Sequence, residues 1–230
     1  MAARLTPGHI LGRSAVALTV IALIAAGTWL YARSWAPSRK DYPVQGVSIS
    51  SADGAVEWGT VAAQGADFAY IRAASAAGRD PAYAANRAAA RAAGMRFGPV
   101  LDYSACRSIA NLATLFVTTV SRDNAALPPV IRLDFAPGCA IRPERDKLLA
   151  DLNTLINLVE GHAGKPVLLH VTEAFDRQYD IGGGINRTLW LDGNFFPPDY
   201  ASRPWVMWTA SDMRHIDGVD GPVHWNVVAP

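Results

Sequence analysis

Arg132 and Asp134 are the residues of this chain whose types and spacing most clearly suggest a reactive or binding site. They lie in Leu127-Pro-Pro-Val-Ile-Arg-Leu-Asp-Phe135, a pattern that predicts a buried strand entered through two prolines. Residues two apart on a strand share a face, so the cation and the carboxylate point the same way. If that face lines a cavity, the strand places a base beside an acid in one site.

Two further carboxylates end predicted strands. Asp102 closes the segment near 96–102, and Asp192 closes the segment near 187–192. Two carboxyl groups at one site can act as general acid and general base, and these residues are candidates for that role. Both also suit structural roles, because aspartate often caps a turn and Asp192 opens an Asp-Gly-Asn loop. The sequence leaves both interpretations open.

Strand-like and helical segments alternate after residue 44. The predicted strands lie near 45–50, 67–73, 96–102, 129–135, 166–171, 187–192, 204–209 and 223–228, and the predicted helices near 57–65, 81–94, 108–121, 143–162 and 173–180. This alternation predicts an α/β fold with a largely parallel sheet that is covered on both faces. Eight strands are enough to close an irregular (β/α) barrel of TIM-barrel type, whose functional groups lie at the carboxyl ends of the strands.

An uncharged, mostly apolar run at 14–32 precedes the barrel and is close to the length that spans a bilayer. We therefore expect an N-terminal cytoplasmic segment at 1–13, a transmembrane anchor at 14–32, a linker at 33–43 and the barrel at 44–230. A cleaved signal peptide is the alternative, since Ala25-Ala-Gly27 offers small residues for cleavage. Basic residues flank the run on both sides, so charge alone does not orient it.

Composition excludes some classes of function. The net charge of +1 gives no basis for nucleic-acid binding, and the five histidines show no metal-ligand spacing such as H-E-x-x-H. We expect neither a metal nor another cofactor. The two cysteines, Cys106 and Cys139, each follow a predicted strand in loops that would be neighbours in a barrel. A disulfide between them is expected if the domain is exported, and two unpaired thiols are the alternative.

Several short motifs resemble, in order, those of the glycoside hydrolase family 25 lysozymes, the Chalaropsis-type muramidases. The resemblance spans roughly 44–228. Its main segments are Gly46-Val-Ser-Ile-Ser50, Gly65-Ala-Asp-Phe-Ala-Tyr-Ile-Arg72, Leu127-Pro-Pro129, Leu189-Trp190 and Gly221 to Asn226. No single motif is specific, but their order and spacing together indicate the family.

The resemblance implies a muramidase that cleaves the β-1,4 bond between N-acetylmuramic acid and N-acetylglucosamine. The residues at its acid positions differ from the family pattern, however. Ser48, Arg132 and His224 stand where the family has acids, and Asp134 stands where it has the proton-donating Glu. Asp134 is one methylene shorter than Glu, and Arg132, if close, favours the ionised carboxylate over the acid form that general acid catalysis needs.

The sequence thus predicts a membrane-anchored, lysozyme-like barrel on the periplasmic or outer side of the membrane. We expect it to bind or act on peptidoglycan glycan strands with impaired catalysis. The cleft residues expected from the resemblance are Ser48, Arg132, His224, Trp208 and Asn226. One alternative is an active, divergent muramidase that uses Asp134 with Asp102 or Asp192. Another is a structural envelope protein that uses the barrel only as a partner surface.

Overall fold

The structure is a computed structural model that describes the backbone of residues 7–230 and the side chains from residue 16 onward. Residues 1–6, part of the segment expected to be cytoplasmic, lie outside the described range. The model contains one apolar N-terminal helix followed by a barrel, which confirms the predicted fold class.

Within residues 7–230, nine strands form a single sheet. They are β1 (Gln45–Ile49), β2 (Phe68–Ser75), β3 (Gly78–Arg79), β4 (Arg96–Asp102), β5 (Val130–Leu133), β6 (Leu168–Val171), β7 (Thr188–Asp192), β8 (Met207–His215) and β9 (Pro222–Val228). The sheet closes into an eight-stranded barrel because β1 pairs with both β2 and β9, whereas β3 is only a short hairpin partner of β2. The barrel strands β1, β2 and β4 to β8 are parallel to one another where they pair, but β9 runs antiparallel to both of its partners.

Seven α-helices accompany the strands in the described part of the chain. They are α1 (Pro7–Ser34), α2 (Trp58–Ala63), α3 (Tyr83–Ala92), α4 (Ile109–Thr119), α5 (Arg145–Ala163), α6 (Glu173–Tyr179) and α7 (Ile181–Gly184). The long helix α5 packs on the barrel through a buried apolar stripe that includes Leu148, Leu152 and Leu155. It ends at Gly164, whose left-handed conformation (φ +68°) is the usual way for a helix to stop.

The last two strands differ most from the expected pattern. Strand β8 was predicted to stop near residue 209, but it continues to His215 and pairs with β9 as a hairpin without an intervening helix. The register shifts twice along this pair, between Thr209 and Ser211 and between Ser211 and Arg214. Such irregularities bend a strand, and here the hairpin rises above the carboxyl-end mouth of the barrel.

The barrel interior is filled rather than hollow. Its lower part is an apolar cluster formed by Phe68, Tyr70, Val100, Val130, Trp190 and Met207. The Tyr70 and Trp190 rings pack with centroids 5.2 Å apart and form the floor of the mouth. Polar side chains lie above this floor, at the carboxyl ends of β4 to β7.

The chain between α1 and β1 is packed against the barrel. The helix runs to Ser34, two residues into the segment expected as a linker. Gln45 donates hydrogen bonds to the carbonyls of Pro37 and Tyr42, at 2.9 Å each, and the Tyr42 ring meets Trp208 edge-on. This segment therefore holds the helix end at a defined place on the domain.

Candidate active-site cleft

A cavity of about 270 Å³ opens at the carboxyl ends of the strands. It is lined by Ser48, Tyr70, Arg72, Asp102, Arg132, His170, Trp190 and His224, together with the turn after β1. A second cavity of about 300 Å³ shares Arg72, Asp102 and Arg132 with the first and extends to Asp134 and Phe135. Together these cavities form one cleft, and they bring most of the predicted site residues to one place.

Arg132 and Asp134 form the contact that their spacing predicts. One guanidinium nitrogen of Arg132 donates to Asp134 Oδ2 at 3.1 Å. The other carboxylate oxygen accepts from the Phe135 backbone N–H at 2.8 Å and from the Thr172 hydroxyl at 3.2 Å. Three donors therefore contact the Asp134 carboxyl group and hold it against the wall of the cleft.

Asp192 is paired with His170 on the neighbouring strand. His170 Nε2 lies 2.7 Å from Asp192 Oδ1, and the imidazole stacks flat on Trp190 with ring centroids 4.1 Å apart. Burial opposes ionisation of Asp192, but the charge and hydrogen bond of His170, with further help from Arg132, lower the pKa of Asp192 below its usual range. Asp192 is thus a positioned base or ion-pair partner, and it is unsuited to donating a proton at neutral pH.

Asp102 has the opposite electrostatic environment. Burial raises its pKa, and this effect outweighs the opposing influence of Arg132 and Arg72. The Asp102 carboxylate lies 3.9 Å from the Arg72 guanidinium, which binds Asp80 more closely, at 2.8 Å. Asp102 is therefore the cleft carboxyl whose surroundings best suit proton donation.

Uncharged hydrogen bonds connect the other side of the barrel. Trp190 Nε1 donates to the Thr209 hydroxyl at 3.0 Å, which donates to Asn226 Oδ1 at 3.1 Å. Asn226 Nδ2 in turn donates to Ser48 Oγ at 2.9 Å. Asn226 is fully buried, so it supports Ser48 from beneath and does not itself face the cavity.

His224 lies across from Ser48 in the β1–β9 pair and faces the cavity, as the resemblance implies. Desolvation by the walls of the mouth lowers the pKa of His224, and the nearby Arg132 and His170 lower it further. The imidazole is therefore neutral at pH 7 and is able to donate or accept a hydrogen bond.

Trp208 requires a correction, because it does not line the cleft. Its neighbour Thr209 points into the barrel, so Trp208 points outward, where it is 1% exposed and packs beside Tyr42 and Trp205. Sequence reasoning overlooked Tyr70 and Trp190 as the floor. Strand alternation offered a signal for them, since Tyr70 precedes Arg72 by two residues and Trp190 precedes Asp192 by two.

The predicted disulfide is present. Cys106 and Cys139 are bonded, with Cα atoms 5.8 Å apart, and the bond joins the loops that follow β4 and β5. These strands end in Asp102 and precede Asp134, so the bond braces the charged side of the mouth. Within the described part of the chain, no group of three or more His, Cys, Asp or Glu side chains is placed to hold a metal ion.

Comparison with known proteins agrees with this geometry. The sequence model of Glycosyl hydrolases family 25 matches residues 47–219. The uncharacterized protein YegX of Escherichia coli CFT073 is 26% identical over 199 residues, which cover 81% of this chain and 70% of YegX.

Solved structures show the same fold. A family 25 glycosyl hydrolase from Bacillus anthracis superposes with a TM-score of 0.76 at 25% identity, covering 85% of this chain and 92% of that one. A lysozyme from Streptomyces coelicolor gives 0.72 at 23% identity, covering 80% and 91%. This chain therefore belongs to glycosyl hydrolase family 25 and has the lysozyme-like barrel of that peptidoglycan-directed family.

Proposed function

We propose that this protein is a membrane-anchored, lysozyme-like module that binds the N-acetylated glycan strands of peptidoglycan with negligible turnover. The observation that carries the proposal is the 3.1 Å contact between Arg132 and Asp134, at positions where the family resemblance implies two acids. Asp134 accepts hydrogen bonds from Arg132, Phe135 and Thr172, so groups of the protein itself occupy the oxygens with which a general acid would meet the glycosidic oxygen. Ser48 and His224 supply no negative charge to stabilise a cationic transition state.

Polar side chains on the wall of the cleft offer hydrogen bonds to a sugar. Ser48, Arg72 and His224 line its wall, whereas the aromatic floor residues Tyr70 and Trp190 are 3% and 1% exposed. A buried ring cannot stack broadly on a pyranose, so binding depends on hydrogen bonds to hydroxyl and acetamido groups. Because such hydrogen bonds exchange with water at modest net gain, we expect weak affinity.

The membrane part of the proposal rests on α1. Val16–Ser34 is long and apolar enough to cross a bilayer, with a mean hydropathy of 1.6 and no buried residues. A signal sequence would look the same by this criterion. We propose the division into a cytoplasmic segment (1–13), an anchor (14–32), a linker (33–43) and the barrel (44–230). The disulfide favours the periplasmic or external side, where oxidising conditions preserve such bonds.

A divergent muramidase is the second candidate, and Asp102 supports it. Its carboxyl group lines both cavities of the cleft, its side chain is 23% exposed, and its pKa is raised by burial. In this alternative Asp102 donates the proton, and Asp134 or Asp192 supplies the negative charge.

Turnover of purified peptidoglycan by the full chain in detergent, measured as newly released reducing ends, separates the two candidates. Binding to the same material is measured in parallel by co-sedimentation. The proposal expects binding without turnover, and it expects Asp102→Asn and Asp134→Asn to leave the background unchanged. Robust wild-type turnover that either substitution abolishes would establish the divergent enzyme instead.

A further inference from the structure

The loop after β7 carries the most exposed aromatic side chain of the described barrel surface. Phe196 is 78% exposed and is followed by two prolines. Its neighbour Phe195 adopts a left-handed backbone conformation (φ +66°), which is unfavourable for a bulky residue and turns successive side chains apart. Phe195 packs against Trp35 with ring centroids 5.0 Å apart, and Phe196 projects into solvent. We refer to Trp35, Phe195 and Phe196 as the aromatic rim.

Hydrogen bonds join the loop that carries Phe195 and Phe196 to β8, in the β8–β9 hairpin. The Phe195 N–H donates to the Ala210 carbonyl at 2.9 Å, and the Asp212 N–H donates to Asn194 Oδ1 at 3.1 Å. These bonds fix the loop beside the cleft mouth. A single exposed phenyl ring is ordinary on a protein surface, and it is the position of this one, next to the end of α1, that bears on function.

The C-terminal end of α1 is fastened to the same hairpin. Arg33 Nε donates to His215 Nδ1 at 3.3 Å, and Arg214 donates to the Ser34 carbonyl at 3.3 Å. Trp35, the next residue, contacts Phe195. These contacts therefore hold the end of the apolar helix directly on the barrel.

The length of α1 determines where the junction between helix and barrel lies relative to a bilayer. The 19 residues of Val16–Ser34 rise about 28 Å at about 1.5 Å each, close to the thickness of the hydrocarbon layer. Residues 33–35 then lie at the headgroup level. Trp29 and Tyr31, which are 54% and 62% exposed, lie just below, where aromatic belts form.

We propose that the aromatic rim is a second membrane contact, with Phe196 inserted into the interface between phospholipid headgroups and acyl chains. The inference rests on the anchoring part of the proposed function and extends it. A barrel held by both α1 and Phe196 presents its cleft beside the membrane. Its glycan ligand is therefore limited to strands that lie next to the bilayer.

The test is depth-dependent fluorescence quenching on the full chain in phosphatidylcholine vesicles. The two native cysteines are bonded to each other, so one introduced cysteine takes an environment-sensitive nitrobenzoxadiazole label alone. Labels are placed by F196C on the rim and by P197C, which keeps the native phenyl ring. V20C in α1 is the control for bilayer insertion, and V117C on α4, which is 40% exposed on another face of the barrel, is the control for solvent.

Vesicles carrying lipids with a nitroxide near the headgroup should remove emission from F196C, P197C and V20C and leave V117C unchanged. If V20C is quenched while both rim labels behave like V117C, the anchor stands and the second contact is disproved. If V20C is not quenched, the anchor itself fails, and the inference fails with it. Quenching of V117C to the same extent as the rim would also overturn the inference, because no particular face would then meet the membrane.

Discussion

The two halves of the barrel mouth are built differently. The half formed by the ends of β4 to β7 is charged, and it contains Asp102, Arg132, Asp134, His170 and Asp192. The half formed by β8, β9 and β1 is joined by uncharged hydrogen bonds through Thr209, Asn226 and Ser48. The charged half retains carboxylates, but two of them are paired with basic side chains, Asp134 with Arg132 and Asp192 with His170. The other half has Ser48 and His224 where the family resemblance implies acids. Two separate obstacles therefore oppose proton transfer and charge stabilisation.

Replacing both halves together should give the largest effect. We predict that the combined variant S48D, R132D, D134E and H224D raises peptidoglycan turnover on the order of a thousandfold over wild type, since a general acid alone contributes about 10²–10⁴. Arg132 stands where the family resemblance implies an acid and binds the side chain at position 134 directly, and positions 48 and 224 face each other across the β1–β9 pair. Release of reducing ends from purified peptidoglycan measures the gain.

The matched controls are the half-variants, S48D with H224D and R132D with D134E. Groups that act as a unit are not additive, so each half alone should remain near background. Full recovery in R132D with D134E would show that only the charged half had been limiting, and the distinction between the halves would lose its functional meaning.

The disulfide braces only the charged half, so its removal is the next largest effect. The bond closes a loop with a sequence separation of 33 residues, which corresponds to about 3–4 kcal/mol of unfolding free energy. The variant C106S with C139S should lose about that much, as measured by guanidinium unfolding in detergent. Reduced wild-type protein is the control and should unfold at the same midpoint. An unchanged midpoint would mean that the charged half is rigid without its cross-link.

The sequence predicted the barrel and most of the charged half well, for a physical reason. Residues at strand ends in a parallel barrel converge at one mouth, so Asp102, Arg132 and Asp134 could be placed from strand boundaries alone. The pairing of His170 with Asp192 could not, because it depends on the register between two strands. Register is set by packing of the whole sheet.

The other half was predicted less well. The β8 extension to His215 is polar and irregular, so it lacks the alternation that marks a strand, and it exists because β9 pairs with it. The family resemblance predicts Trp208 in the cleft, but Thr209 bonds Trp190 and Asn226 inside the barrel, so strand parity places Trp208 on the outer face. Strand parity is therefore a better guide to the side chains that line a site than a motif match alone.

A pH-dependent stability difference should mark the charged half. The pKa of Asp192 is lower in the folded chain than its unfolded value of about 3.9, so its stabilisation is present above that pH and is lost as the pH falls toward the folded value. Asp192→Asn should cost about 1–2 kcal/mol at pH 7, a modest figure because the side chain is 35% exposed. Urea unfolding should show that the difference in unfolding free energy between wild type and variant becomes smaller from about pH 5 to about pH 3. If this difference stays constant over the same pH range, the contact between Asp192 and His170 is not electrostatic.

The smallest effect should come from the uncharged half, and it should not depend on pH. Ser48→Ala removes one acceptor from Asn226 Nδ2, which keeps a contact with the His224 carbonyl at 3.3 Å. The cost should therefore be about 1 kcal/mol or less, the net contribution of a single neutral hydrogen bond. Neither partner titrates, so the unfolding free energies of Ser48→Ala and wild type should differ by the same amount at about pH 5 and about pH 3, the range in which the Asp192 contribution changes. If the difference in unfolding free energy between Ser48→Ala and wild type changes with pH as it does for Asp192→Asn, Ser48 is coupled to the charged groups. The two halves of the mouth would then have to be treated as one electrostatic unit.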